Sequence, residues 1–244
     1  MKPLVRVTQL ESFRRWMEQP EADGWEIPEQ SVIDSVTGGF QGNEYTWVGT
    51  AFHAIVETGR PKAVRVPAGT RRFQLRGKEV EEPLPEGRRI EAGGHWVTFD
   101  KPQCQAALDY RGEHPWAFHE YRRYMDMGQA VVTGCADMIE GTELRDIKTK
   151  LTAPRDSDYR DSCQWRFYMQ LFGCSTFHFD LFEFKGYDRE RHGLDLRGLP
   201  LGRREPITLY RYRGMERDNE RLLSMFLDWA ERRGLTEHLM RETV

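Results

Sequence analysis

Ala130 to Lys150 reads AVVTGCADMIEGTELRDIKTK. Two β-type runs, AVVTGCADMI and ELRDIKTK, flank a Gly-containing junction at Glu140, Gly141 and Thr142. That pattern predicts a β-hairpin with a tight turn, and it constrains the fold more than any other stretch. Strand side chains alternate between faces, so Asp146 and Lys148 share one face of the second strand. Asp137 on the first strand lies near Asp146 across a turn centred at about 141–142, which lets the two carboxylates converge. Carboxylates that close repel unless a cation sits between them, and oxygen donors suit Mg²⁺ or Mn²⁺. A lysine on the same face would stabilise developing negative charge or position a water, as metal-assisted phosphoryl chemistry requires. An isolated acid-x-Lys is more simply a surface ion pair, worth under ~1 kcal/mol. The chain even carries a second one, Glu183, Phe184 and Lys185, with Asp180 before it.

The surrounding pattern predicts a mixed sheet flanked by helices, an α/β fold with α+β character. VTQLESFRRWMEQP reads as an opening helix, with Thr8 and Glu11 as a capping box and Pro20 as its end. A polar, Gly-containing stretch follows, then EYTWVGTAFHAIVETG, where Trp47, Phe52, Ile55 and Val56 keep helical spacing and Gly59 marks the stop. His53 and Glu57 share a face of that helix. Residues 60–100 hold short alternating runs (KAVRV, RRFQL, HWVTF) that predict small strands decorating the core, not a separate domain. DKPQCQAALDYRGEHP reads as a helix with Pro102 in its first turn, and AFHEYRRYMDMGQ leads into the hairpin. SDYRDSCQWRFYMQLFG is predicted as one helix ending at Gly173. TFHFDLFEF and ITLYRYR, 207–213, alternate as strands. A C-terminal amphipathic helix at about 215–240 places Leu222, Phe226 and Trp229 on one stripe.

At 244 residues one sizeable core accounts for the whole chain, so a single domain over 1–244 is expected. Charged residues reach 31% but the net charge is only −3. That balance excludes a globally basic nucleic-acid binder and leaves room for a local basic groove. Arg71, Arg72, Arg76 and Lys150 are candidates for phosphate contacts, although a solvated face is the better reading of them. Cys104, Cys135, Cys163 and Cys174 form no CxxC, so a structural zinc is not expected. With no signal-peptide pattern and no apolar run near ~18 residues, the expected setting is a reducing cytoplasm, without membrane insertion.

The motifs occur together in a definite order. GCAD (Gly134–Asp137), DIK (146–148) and Gln164-x-x-x-Tyr168, with GTAFHAIVE upstream, resemble the PD-(D/E)XK nuclease superfamily, and within it the RecB-type branch. The opening VTQLESFRRW and the segment EHPWAFHE with Glu120 are also similar to that branch, so the likeness covers roughly residues 5–185. It implies a restriction-endonuclease-like core. It also implies that His53, Asp137, Asp146 and the Ile147 carbonyl ligate Mg²⁺ or Mn²⁺, with Lys148 as the catalytic lysine. Gln164 and Tyr168 would position the substrate backbone or the site's water, and Glu120 would contact metal or water. The family chemistry is in-line attack of a metal-bound water on a DNA phosphodiester. Relatives with an iron–sulfur cluster hold it through one early and three late cysteines. The scattered cysteines here do not match, so no cluster is expected.

The expectation is therefore a Mg²⁺/Mn²⁺-dependent DNA exonuclease of recombination, repair or phage DNA processing, acting on single strands or duplex ends. No GxxxxGK[ST] accompanies it, so a free-standing nuclease and not part of a motor is expected. Its alternatives are a structure- or sequence-specific endonuclease of the same fold, and a non-enzymatic DNA-binding assembly subunit. A recombination partner protein or a homo-oligomer would be compatible with any of these, but no motif signals one.

Overall fold

A computed structural model describes residues 2–19 and 26–240. A short strand, β1 (Leu4–Arg6), runs directly into α1 (Val7–Met17), which buries Val7, Leu10 and Phe13 at helical spacing. The helix starts two residues earlier than the pattern at Thr8 and Glu11 predicts, with half of a capping box. Arg6 is the N-cap, and its N–H donates to Gln9 Oε1 at 2.8 Å. Glu11 is used elsewhere, as described below. Pro20, expected to end this helix, lies outside the described residues. A helix not anticipated from the polar pattern, α2 (Glu29–Thr37), buries only Val32 and Val36. So small an apolar face gives little periodicity to read. α3 (Glu44–Thr58) forms as expected, with the Asn43 side chain accepting from Thr46 N–H at 3.1 Å.

The decorating strands are β2 (Ala63–Val66), β3 (Gly69–Leu75), β4 (Lys78–Leu84), β5 (Gly87–Ala92) and β6 (His95–Asp100). They make a three-stranded sheet, β2-β5-β6, and a separate hairpin, β3-β4. α4 (Lys101–Glu113) starts at a reciprocal cap. Asp100 Oδ1 accepts from Gln103 N–H, and Gln103 Oε1 accepts from Asp100 N–H, both at 3.0 Å.

The lead-in to the hairpin is itself a strand, β7 (Phe118–Asp126), where the sequence pattern showed only a connection. Its exposed, charge-rich alternation hid it. The hairpin is β8 (Val131–Glu140) and β9 (Glu143–Lys150), joined through Gly141, whose φ of 60° is the left-handed conformation glycine adopts without strain. The single helix predicted after it is broken into α5 (Ser157–Arg160) and α6 (Gln164–Phe172). The break has a visible cause: Glu11 of α1 accepts from Cys163 N–H at 2.8 Å and Ser162 Oγ at 3.0 Å. A carboxylate there satisfies orphan donors at the start of α6 and favours a fresh N-terminus. β10 (Thr176–Phe184), α7 (Arg189–His192), β11 (Leu201–Arg203), β12 (Ile207–Tyr210), α8 (Met215–Arg232) and α9 (Thr236–Leu239) complete the chain. β12 ends three residues short of the predicted 213. The α8 stripe of Leu222, Phe226 and Trp229 is buried as expected.

The central sheet runs β1-β8-β9-β10-β11, with β7 also on β8 and β12 also on β10. β9 and β10 are parallel from Glu143 opposite Thr176 to Lys150 opposite Glu183. Along β10, Phe177, Phe179 and Leu181 enter one apolar cluster with α1, α6 and α8, while Phe182 and Phe184 enter a second with α3 and α4. Helices thus cover both faces of a mixed sheet. No helix among the described residues is long and apolar enough to cross a membrane.

Candidate functional site

β8 shares its length with three neighbours, and the site lies where the sharing fails. β1 pairs with Val131–Thr133, and β9 pairs only with Met138, Ile139 and Glu140. The register of β9 would next bring Asp137 opposite Asp146, but the ladder stops one step short. The Asp137 carboxylate enters the opening instead, and its Oδ2 accepts from Ile147 N–H at 2.7 Å. The hairpin thus brings the two acids together by opening, not by ordinary pairing.

α3 delivers His53 to the same place. Its Nε2 lies 2.7 Å from the Ile147 carbonyl oxygen, and its Nδ1 lies 3.6 Å from Asp137 Oδ2. A carbonyl only accepts, so Nε2 donates to it, and this turns Nδ1 toward the Asp137 carboxylate. The alternative pairing with Glu57 is not made. In the tautomer with its proton on Nε2, Nδ1 would offer a lone pair to a cation between it and the carboxylates. Fixing the far nitrogen of a histidine through a backbone carbonyl is also how metal-binding histidines are oriented. The Ile147 oxygen, expected as a ligand, is here engaged by His53 through one of its lone pairs.

Glu120 joins them from β7. Donor atoms of His53, Glu120 and Asp137 lie within 4.8 Å of one another. The β7–β8 register skips the Glu120–Asp137 pair, and Glu120 has φ 49°, a conformation rare for a residue with a Cβ. Holding it there costs roughly 1–3 kcal/mol, the kind of strain that accompanies functional sites. The Cys135 thiol donates to Glu120 Oε2 at 3.4 Å. Burial and the Glu120 charge push that thiol up to about 11, so it remains a thiol. The sequence pattern did not single out Cys135.

Asp146 stands outside the mutual 4.8 Å set and heads a second group. Its side chain is buried, with Oδ1 accepting from Gln164 Nε2 at 2.8 Å. Lys148 Nζ lies 2.7 Å from Oδ2, an ion pair at a carboxylate whose side chain is 3% exposed. Burial pushes the Asp146 carboxyl up to about 6, against the pull of Lys148 and helped by Asp137. Burial works to lower the Lys148 ammonium, but Asp146 and Asp137 outweigh it and hold it above its ordinary value. Lys148 therefore stays charged, with 34% of its side chain exposed.

Tyr168 is also a packing residue. It is buried, and its ring lies so close to Gly134 that a Cβ there would sit 2.2 Å from Cε1. Burial, then Asp146 and Asp137, push its phenol up, so it stays protonated. Gly134 and Tyr168 are two halves of one contact that seats α6 on β8 and so aims Gln164. Glu11, which caps α6, contributes to the same end, and no local signal links it to residues more than 150 positions away. Lys150 reaches the Tyr159 ring, 5.2 Å from its centroid, and burial followed by Lys148 lowers its ammonium. Arg71 is buried and bound to Glu82 at 3.0 Å, so it is a structural residue and not a phosphate reader. Arg72 pairs with Glu81 at 2.8 Å. Arg76, with φ 51°, occupies the exposed β3–β4 turn.

The donor types suit a divalent ion: the Glu120 and Asp137 carboxylates and an imidazole turned toward them, with the Asp146 carboxylate nearby. A cavity of about 860 Å³ lies elsewhere, lined by Arg60, Arg65, Arg88, Lys101 and Cys104 among others. None of the site residues borders it, and burial pushes the Cys104 thiol up to about 11, so it offers no activated nucleophile.

No family model matches the chain, and no curated protein matches it. Among solved structures, one described as "Crystal structure of SSO0001" is similar at 16% identity and a TM-score of 0.33. That alignment covers 51% of this chain and 55% of the other, about half the length of each, and carries no argument about function.

Proposed function

We propose that this chain is a Mg²⁺/Mn²⁺-dependent deoxyribonuclease of the PD-(D/E)XK type, closest in pattern to the RecB branch, with its central sheet serving as a restriction-endonuclease-like core. The observation that carries the reading is the opened hairpin. Asp137 bonds Ile147 N–H in the gap, one residue from the Asp146–Lys148 pair.

His53, Glu120, Asp137 and Asp146 would hold the cation. A divalent ion there supplies Lewis-acid stabilisation of phosphoryl oxygens and a more acidic bound water. An imidazole among the oxygens favours Mn²⁺ over Mg²⁺. Lys148, kept charged by two carboxylates and partly open to solvent, stabilises negative charge developing on the phosphate. Gln164 fixes the orientation of Asp146 through Oδ1. The Tyr168–Gly134 contact fixes Gln164 in turn, so Tyr168 is a positioning residue. Ile147 positions both partners, its N–H holding Asp137 and its carbonyl holding His53.

Exonuclease action is the preferred form of the activity, carried by the RecB-type pattern. The test offers end-labelled linear single- and double-stranded DNA, beside a closed circle, with Mg²⁺ or Mn²⁺. Loss of linear DNA that disappears in Asp146→Ala and Lys148→Ala supports the reading. Cutting of the circle would make the chain an endonuclease, and retained DNA binding without cleavage under either ion would make it a binding subunit.

A further inference from the structure

β7 is an outer strand of which the proposed chemistry uses only Glu120. β8 covers one of its edges, and among the described residues no strand pairs with the other. On it and just before it lie Trp116, Phe118, Tyr121 and Tyr124, exposed by 82%, 71%, 53% and 61%. So much aromatic surface in one short segment marks a binding surface. Arg122 and Arg123 are interleaved with these rings, both exposed. The acid at the far end, Asp126, is neutralised by Lys2 at 2.6 Å. Glu120 lies within the same strand, with its donor atom in the His53–Asp137 group. Glu120 separates Trp116 and Phe118 from Tyr121 and Tyr124 along a strand of roughly 20–30 Å. On the far side Tyr121 and Arg123 lie on the α6 face while Arg122 and Tyr124 lie on the other, so the rings line both faces beside the open edge.

Two occupants fit an open edge: a second copy of this chain, or a ligand. Edge pairing between copies would bring the adjacent arginines of each strand toward those of the other, and such charges are what keep edges apart. A polyanion has the opposite preference. A nucleic-acid single strand presents both matching features, base faces for the rings and phosphates for the guanidinium groups. In a duplex the base faces are buried in the stack, leaving only the arginines to engage.

We propose that β7 and Trp116 form a stacking track for single-stranded DNA that delivers its backbone to the Asp137–Asp146–Lys148 site. This rests on the phosphodiesterase reading for the site but concerns which form of DNA reaches it. The experiment measures anisotropy of fluorescein-labelled oligothymidylate and of a blunt hairpin duplex with equal phosphate count, using the full chain in EDTA. The single strand binds at least about tenfold more tightly than the duplex. Trp116→Ala and Tyr124→Ala each weaken it about five- to a hundredfold and leave the duplex unchanged, while Tyr124→Phe keeps wild-type affinity. Arg122→Gln and Arg123→Gln reduce the salt dependence of both ligands. Unchanged single-strand affinity in both alanine variants overturns the proposal, as do equal losses on the duplex. A dimer that Tyr124→Ala dissociates without altering oligothymidylate binding overturns it in favour of a copy interface. Ring-dependent oligothymidylate binding with no cleavage under either ion leaves the track standing and removes the phosphodiesterase. Duplex cleavage by a chain indifferent to the single strand does the reverse.

Discussion

β9 and β10 lie side by side, parallel and in register, and each carries an acid-x-Lys. On β9 it is Asp146 and Lys148; on β10 it is Glu183, with Lys185 just past the strand's end. The triplets are alike, and their neighbours are not. β10 is covered on one edge by β9 and on the other by β12 and β11. No gap opens beside Glu183 through which another acid could enter. β9 borders a strand that pairs with it over three residues and then parts from it, and Asp137 fills the parting. What β10 buries instead is Asp180, fully enclosed and bound by Tyr110 at 2.8 Å and Arg145 at 3.1 Å. Asp146 and Asp180 are both buried and paired, but Lys148 beside Asp146 stays 34% exposed, while Arg145 beside Asp180 is 14% exposed. Under the proposed reading, the acid-x-Lys that forms the site is the one beside the ladder that opens.

The sharpest way to break this comparison is to exchange the roles of the lysines. Lys148→Ala and Asp146→Ala should each lower DNA cleavage by about a thousandfold in initial-rate assays, the scale for losing a charge-stabilising group. Lys185→Ala should change the rate less than about twofold, and a comparable loss there would move the site to β10. The reverse ordering is expected for stability. Asp180→Ala leaves the buried Arg145 and Tyr110 without their carboxylate and should cost about 3–5 kcal/mol. In a chain of this size that lowers Tm by roughly 6–20 °C in a thermal melt. Lys148→Ala should move Tm far less.

Gly134→Ala tests the opened strand from its other side. The added methyl collides with Tyr168 and should destabilise by about 1–3 kcal/mol in denaturant titration. Tyr168→Ala in the same chain should recover part of that loss through coupling between touching residues. The smallest effect is expected at Glu120. Glu120→Gly relieves a left-handed residue and should raise stability by about 1 kcal/mol. The same change should weaken Mn²⁺ binding by calorimetry about tenfold, the scale for disturbing a metal site. A stability gain without loss of Mn²⁺ affinity would remove Glu120 from the metal group.

Much of this is legible in local pattern. Alternation and a Gly-containing turn mark the hairpin, and helical spacing marks α3 and α8. Asp137, Asp146 and Lys148 can be picked out from their places on either side of the turn. The missed elements have weak patterns for physical reasons. α2 buries two side chains, and β7 is an exposed edge whose alternation is masked by charge. The break before α6 depends on Glu11, remote in sequence, so no window that contains the break contains its cause.

Residue types and their order determined the hairpin, the helical faces and which carboxylates could meet. Tertiary structure decided what they became. It ended the β8–β9 ladder before Asp137, turned His53 so that one nitrogen is spent on Ile147, and brought Glu120 in from a neighbouring strand. It also packed the Tyr168 ring against Gly134 and buried Asp180 in the core. Burial and convergence depend on what packs from outside a segment, and strands with the same short motif carry no record of their neighbours.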